Sequence, residues 1–143
     1  MKIFTIGYES ATVPDFLAAL QAAGVERVID VRALPLSRRP GFSKTPLRTA
    51  LAKAGIDYVH LRALGTPAAG REAARRGRTA ELRRIYDGQL ALPEAMAAGA
   101  RMLDLAAERP SALLCYEREP AGCHRSLLLE RVAPEAEAVH LFA

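Results

Sequence analysis

The stretch LLCYEREPAGCHRSLLLERV, residues 113–132, concentrates side chains that could do chemistry. It holds both cysteines of the chain, Cys115 and Cys123, and one of its three histidines, His124. Glu117 follows the first cysteine by two residues. A carboxylate can act as a general acid or base, a thiolate as a nucleophile, and an imidazole as either a proton carrier or a metal ligand. We therefore take Glu117, Cys123 and His124 as candidate catalytic residues.

Three interpretations of Cys123 remain open. It is predicted to lie at a helix N-terminus, where backbone N–H groups favour an anion and lower a thiol pKa. It could thus be a nucleophile with His124 or Arg125 as partner, although its spacing to Arg125 does not match the phosphatase or rhodanese loops. Cys115, Cys123 and His124 could instead bind zinc, but they match no common zinc spacing, and we predict no metal. Finally, Cys115 could be a buried strand residue while Arg125 binds an anion or Glu117.

A second group of polar residues surrounds the end of a predicted strand at Asp30-Val31-Arg32. Asp30 and Arg32 share one face of that strand. Arg32 could clamp a phosphate or carboxylate while Asp30 orients it, or the two could form an internal salt bridge. The candidate anion-binding residues of the whole chain are Asp30, Arg32, Ser37, Arg38, Arg125 and Tyr8.

The charge distribution favours a local anion site. Net charge is +4, yet no acidic residue lies between Asp30 and Asp57, where six basic residues fall. The segment from Arg71 to Arg84 has six arginines and only two glutamates. Two basic patches on a nearly neutral chain indicate a confined anion site more than a uniformly basic surface.

Periodicity and turn residues predict the elements that must position these side chains. Strands are expected over 2–8, 25–32, 56–62, 111–117 and 138–142. Helices are expected from Thr12 to Gly24, from Pro46 to Gly55, from a cap at Thr79, from Pro93 to Glu108, and over 124–132. The stretch 63–77 is the least regular and the best candidate for a mobile flap.

Strands alternating with helices at this spacing predict parallel βαβ units. We expect one domain, residues 1–143, with a three-layer α/β/α architecture and about five mostly parallel strands. Ligands of such sheets bind beyond the carboxyl ends of the strands. The candidate residues follow four strand ends, at Tyr8, Arg32, His60 and Cys115, so they should converge on one edge.

Composition narrows the class of protein. Half of the residues are hydrophobic and a quarter are charged, as in a globular protein. The apolar runs are shorter than a membrane-spanning helix requires, and the N-terminal residues lack a signal-peptide pattern. We expect a cytoplasmic protein without a membrane partner and with reduced thiols.

Several strings resemble an uncharacterised bacterial family, domain of unknown function 488. They are TIGYES, VIDVRALPLSRRPGFSKTPL, GIDYVHLRALG, LLCYEREPAGCHRSLL and VHLF, in that order along nearly the whole chain. The resemblance implies a compact α/β domain and no established activity. This chain departs from the pattern at Tyr8, where a histidine is frequent, and at Thr66, where a second glycine is often found.

Carried over by position, the family's motif residues coincide with the set reached from the strand ends. They are Asp30, Arg32, Pro35, Ser37, Phe42, Cys115, Glu117, Cys123, His124 and Arg125. Some of them, such as Pro35 and Phe42, have a role in maintaining the fold.

Three functions compete. The first is an enzyme that binds a phosphate-bearing or other anionic substrate, such as a nucleotide or nucleic acid. The alternative is a non-catalytic nucleic-acid-binding module, which the low aromatic content of 6% disfavours. The third is a redox role for a Cys115–Cys123 disulfide, which needs Cα atoms within about 7 Å. Cofactor, reaction and oligomeric state are unknown at this point.

Overall fold

The protein is built on one sheet of five parallel strands. The structure is a computed structural model that describes residues 1–143, except for the solvent exposure of Gly122. The strands are β1 (Lys2–Gly7), β2 (Arg27–Asp30), β3 (Asp57–His60), β4 (Ser111–Cys115) and β5 (Glu137–Phe142). Their order across the sheet is β3-β2-β4-β1-β5, and every neighbouring pair is parallel.

Helices cover both faces of the sheet. They are α1 (Val13–Ala22), α2 (Lys44–Lys53), α3 (Ala68–Arg75), α4 (Thr79–Leu90), α5 (Pro93–Glu108) and α6 (His124–Val132). One buried cluster packs α1 and α2 against the sheet, and a second packs α4, α5 and α6 against the opposite face. Leu113 belongs to the second cluster and Leu114 to the first, as strand alternation requires. The predicted single α/β domain with a parallel sheet is confirmed.

The signals at helix starts are mostly confirmed. Thr12 caps α1, because its Oγ1 accepts a hydrogen bond from the Asp15 N–H at 3.2 Å. Pro93 begins α5, where its missing N–H costs nothing. The predicted cap at Thr79 is wrong: Thr79 is the first residue inside α4, and Arg78 precedes it without a side-chain cap.

The expectation that 63–77 is irregular is also wrong. A 3-10 turn, Arg62–Leu64, and then helix α3 occupy this stretch. Helix α3 was not predicted from the sequence because its buried face carries small residues, Gly70 and Ala73, and no long apolar side chain. Its Gly70 is buried, and a Cβ atom there would overlap the Thr66 methyl group. The helix is therefore closely packed against the chain before it.

Strands β1 to β4 end one or two residues earlier than the sequence predicted, which places several candidate residues in loops at the sheet edge. Strand β2 ends at Asp30 and β4 at Cys115, two residues short of the predicted ends. In the register of the sheet Gly7 pairs with Cys115, and Asp30 pairs with both Leu114 and His60. The carboxyl ends of four neighbouring strands thus lie level with one another. Among the described residues no helix is long and apolar enough to span a bilayer.

Candidate functional site

A cavity of about 620 Å³ opens at the carboxyl edge of the sheet. Seven of the ten residues predicted for the site line it, namely Tyr8, Arg32, Ser37, Arg38, Cys115, Glu117 and His124. The other three, Asp30, Cys123 and Arg125, lie behind this wall. The location follows from parallel strands, whose carboxyl ends carry the loops that contact a ligand.

Part of the cavity wall was not predicted from the sequence. Helix α3 contributes Arg71 and Arg75, and Arg39 lies beside Arg38. Leu34 and Leu36 are 50% and 72% exposed and give the cavity an apolar side. The Arg71–Arg84 basic patch was the signal for the two α3 arginines, but nothing in the local sequence showed which arginines face the sheet edge.

Asp30 and Arg32 form a buried ion pair at the wall of the cavity, which Arg32 lines. The Arg32 Nε and Nη2 groups donate to the two carboxylate oxygens of Asp30 at 2.9 and 2.8 Å, and Nη1 donates to the Phe42 carbonyl at 2.7 Å. Burial by itself lowers the pKa of Arg32, but the hydrogen bonds and charge of Asp30 outweigh it and raise that pKa. This geometry favours the internal salt bridge over an anion clamp, because the guanidinium fork already holds a carboxylate.

Tyr8, one of the predicted anion-binding residues, is buried in the wall of the cavity. Its ring stacks on Phe42 at 4.8 Å between centroids and meets Tyr116 edge to face at 5.4 Å. The guanidinium carbon of Arg32 lies 5.2 Å from the Tyr8 ring centre. Tyr8 therefore supports the ion pair by an aromatic and a cation–π contact.

The loop after β2 is held together by two serines. The Ser37 N–H donates to Ser43 Oγ at 3.0 Å, and Ser37 Oγ accepts from the Arg39 N–H at 3.0 Å. The Arg39 Nε and Nη2 groups in turn donate hydrogen bonds to the Ala11 carbonyl. Arg38 is exposed, and no hydrogen bond or ion pair to its side chain occurs among the described residues. Arg38 is thus the arginine of this loop that is available to a ligand.

Glu117 reaches the cavity from the loop after β4. Burial raises the pKa of Glu117, while the charge of Arg125 acts in the opposite direction. The loop lies directly on β1: a Cβ atom at Gly7 would overlap the Glu117 carbonyl group. The Glu9 carboxylate accepts a hydrogen bond from the Arg118 N–H at 3.1 Å. Close contact with β1 therefore fixes the position of Glu117.

Arg125 is fully buried at the start of α6. Its Nη2 donates to the Arg118 carbonyl at 2.9 Å, and its Nε and Nη1 have no partner among the described residues. Burial lowers the pKa of Arg125 to about 10, against the opposing charges of Glu117 and Glu119. Arg125 supports the loop that carries Glu117 and lies outside the cavity wall.

Cys115, Cys123 and His124 come together at the cavity wall, with one ligand atom of each within 4.8 Å of the other two. Cys115 ends β4 and Cys123 is the N-cap of α6, where its sulfur accepts a hydrogen bond from the Arg125 N–H at 3.5 Å. The structure joins the two cysteines by a disulfide, with Cα atoms 7.5 Å apart. The expectation of two reduced thiols is therefore not met in the structure. The Cα separation exceeds the limit of about 7 Å on which the redox interpretation depended.

His124 is oriented by the backbone. Its Nε2 lies 2.9 Å from the Val31 carbonyl, and its ring packs edge to face on Tyr86 at 5.3 Å. A carbonyl oxygen only accepts, so the proton of the neutral ring is on Nε2 and Nδ1 carries a lone pair. Burial lowers the pKa of His124 to about 4. The imidazole is thus neutral near pH 7.

The two remaining histidines have structural contacts. His60 Nε2 lies 2.7 Å from the Arg32 carbonyl, beside the ion pair. His140 Nδ1 lies 2.6 Å from Thr5 Oγ1 between β5 and β1, and burial lowers its pKa. Neither lines the cavity.

A second cavity of about 540 Å³ adjoins the first. The two share four wall residues, Ala33, Leu34, Thr66 and Arg71, and the second adds Arg62 and Glu94. Gly65 in the wall of the second cavity lies directly against Ala33, because a Cβ atom at this position would overlap the Ala33 backbone. Together the cavities form a groove along the loops after β2 and β3.

Comparison with known proteins confirms the family resemblance. No curated protein and no solved structure matches this chain. The family model described as "Domain of unknown function DUF488" matches residues 12–132, which contain every candidate residue of the site except Tyr8. The chain therefore belongs to the DUF488 family.

Proposed function

We propose that this protein is an enzyme that binds a phosphate-bearing or otherwise anionic substrate in the 620 Å³ cavity, with Glu117 as its general acid or base. The observation that carries the proposal is the content of one wall: arginines from two separate elements, Arg38 and the α3 pair Arg71 and Arg75, line the same cavity as the half-buried carboxyl group of Glu117. A surface that only docks an anion gains nothing from a carboxylate placed among its cations.

Arginines from the two elements divide the work of binding. Arg38 has no competing acceptor among the described residues, whereas Arg71 donates to the Thr66 carbonyl at 2.8 Å through Nη1 and keeps other N–H groups for a ligand. Arg75 pairs with Glu72 on the exposed side of α3. Guanidinium groups suit phosphate oxygens because their planar fork can donate two parallel hydrogen bonds.

Glu117 is better placed than Cys123 to reach a substrate. Cys123 is 2% exposed and does not line the cavity. Glu117 lines the cavity, and its raised pKa brings it closer to neutral pH, where an acid–base group works best. The apolar side formed by Leu34 and Leu36 suits a substrate with a flat or aliphatic part, such as a nucleoside.

The test is turnover of a panel of nucleoside mono-, di- and triphosphates and short single-stranded oligonucleotides, followed by mass spectrometry. We expect at least one class to be consumed. Glu117→Gln should lower that rate about 100-fold or more while the dissociation constant changes little, as for loss of a general acid or base. Glu119→Gln, an exposed carboxylate two residues away, is the matched control. Equal rates for wild type and Glu117→Gln would contradict the assignment.

A nucleic-acid-binding module is the second candidate, because the two adjoining cavities form a groove that could follow a chain-like ligand. The logarithm of the association constant for a labelled single-stranded oligonucleotide should then fall linearly with the logarithm of the salt concentration, with a slope of about −0.7 per phosphate contact. Arg62→Ala and Arg38→Ala, one in each cavity, should each reduce the slope by about one contact. Salt-independent binding would contradict the nucleic-acid-binding module. Salt-dependent binding of the oligonucleotide without turnover of any member of the panel would favour the module over the enzyme.

A further inference from the structure

Cys115, Cys123 and His124 form a potential metal site, although their spacing in the sequence matches no common zinc motif. One ligand atom each from Cys115, Cys123 and His124 lies within 4.8 Å of the other two. Strand β4 supplies the first, and the start of α6 supplies the other two. Two sulfurs and an imidazole nitrogen are the donor set that Zn²⁺ favours among the common divalent ions of proteins.

The orientation of His124 is that of a metal ligand. Its Nε2–H donates to the Val31 carbonyl at 2.9 Å, and its unprotonated Nδ1 lies 3.8 Å from the Cys123 sulfur. In a tetrahedral site with Zn–S of about 2.3 Å and Zn–N of about 2.0–2.1 Å, nitrogen and sulfur lie about 3.6 Å apart. Ligand histidines characteristically donate their second ring N–H to a carbonyl or carboxylate in this way.

The cysteine backbones also suit a shared ion better than a disulfide. Their Cα atoms are 7.5 Å apart, whereas disulfides span about 4.4–6.8 Å without backbone movement. Two sulfurs bound to one tetrahedral Zn²⁺ lie about 3.8 Å apart, so the two cysteine backbones need not move closer together to bind the ion. The Cys123 sulfur also sits at the N-terminus of the nine-residue α6, where the helix dipole favours a thiolate.

We propose that the protein with reduced cysteines binds one Zn²⁺ through the sulfurs of Cys115 and Cys123 and Nδ1 of His124. Three protein ligands leave a fourth position for water, which is the pattern of catalytic rather than structural zinc. Cys115 and His124 line the cavity together with Glu117, so the proposed zinc site borders the space assigned to substrate. Zinc lowers the pKa of a bound water, and the Glu117 carboxylate in the same wall would be a candidate acceptor for its proton.

The test begins with fully reduced, metal-free protein under anaerobic conditions, titrated with Co²⁺ and then with Zn²⁺. We expect one equivalent of cobalt, a thiolate-to-cobalt absorption band in the near ultraviolet, and loss of the band as zinc displaces cobalt. Cys115→Ser and His124→Ala should each weaken zinc binding by more than about 100-fold. Loss of a hydrogen bond that only supports a ligand already costs up to about 100-fold, and these variants remove a ligand itself. Glu119→Gln, a nearby carboxylate outside the cluster, should bind zinc as wild type does.

Three results would overturn the site. They are a disulfide that survives mild reductant, a reduced wild type without the thiolate-to-cobalt band, and a Cys115→Ser variant that binds zinc normally. If the variants fail to fold, the wild-type spectrum still decides, supported by alkylation, from which bound zinc should protect both cysteines. Zinc binding and anion binding are separable, because inorganic phosphate can be titrated onto the metal-free protein.

Discussion

The buried Asp30–Arg32 pair shows how a residue that looks like a ligand-binding group can be committed to the fold. Asp30 is fully buried, accepts three hydrogen bonds from Arg32, and also accepts one from the Tyr58 hydroxyl. Burial, followed by the charge and hydrogen bond of Asp30, raises the pKa of Tyr58, so that hydroxyl remains a donor. The pair anchors the loop after β2, which carries Ser37 and Arg38 into the cavity wall.

We therefore expect Asp30→Asn to destabilise the protein by about 3–5 kcal/mol, the cost of leaving a buried charge unpaired. Chemical denaturation followed by circular dichroism measures the change in the free energy of unfolding. Glu130→Gln is the control, since it removes an exposed ion pair with Arg83 and should cost less than about 1 kcal/mol. Equal effects of the two substitutions would show that Asp30 is not a structural anchor.

At the scale of elements, the contact between β1 and the loop after β4 sets where Glu117 lies. Gly7 makes the contact possible, since any side chain there would meet the Glu117 carbonyl. Gly7→Ala should cost about 1–3 kcal/mol through overpacking and should displace the Glu117 loop. Thermal unfolding and turnover of the same variant measure the two effects.

Gly88→Ala is the matched substitution in α4. Nothing lies within 4 Å of a Cβ atom at that position, and the residue is exposed in the helix. Alanine there should stabilise the protein by about 0.5–1 kcal/mol, because glycine weakens helix interiors. We therefore expect Gly7→Ala to lower the free energy of unfolding and Gly88→Ala to raise it. A stabilised Gly7→Ala would contradict the close contact between β1 and the loop.

The elements that the sequence predicted best have both a periodic apolar pattern and a boundary residue. Helix α5, which begins at Pro93 and ends before Pro110, and strand β1, which ends at Gly7, are examples. Helix α3 lies between Pro67 and Gly77, but its buried face consists of small residues such as Ala73, so no long apolar side chains marked that face. Its two cavity arginines were therefore visible only as part of a basic patch.

The site was predictable as a location more than as a set of contacts. Parallel topology brings the four strand ends together, so Tyr8, Ser37, Cys115 and Glu117 could be assigned to one edge. Whether an arginine faces a ligand or a carboxylate depends on tertiary packing, which local sequence does not encode. Cys115, Cys123 and His124 failed a zinc-spacing test because their ligand atoms come from two elements that the sheet brings together.

For the whole molecule, the question is whether its positive charge acts locally or as a general surface field. The net charge is +4, and arginines such as Arg48, Arg101 and Arg131 are exposed away from the cavity wall. A diffuse field would attract phosphate to many of these groups weakly and would be screened by salt. A built site would concentrate binding where arginines from two elements meet.

The decisive measurement is a titration of ¹⁵N-labelled protein with inorganic phosphate at constant ionic strength, followed by amide chemical shifts. If the cavity is an anion site, saturable shifts should cluster in residues 37–39, 71–75 and 116–118 and should disappear in an Arg38→Gln, Arg71→Gln double variant. Arg48→Gln, Arg101→Gln is the matched control and should shift as wild type does. Small, unsaturated shifts spread over the exposed arginines, equal in both variants, would contradict an anion site at this edge of the sheet.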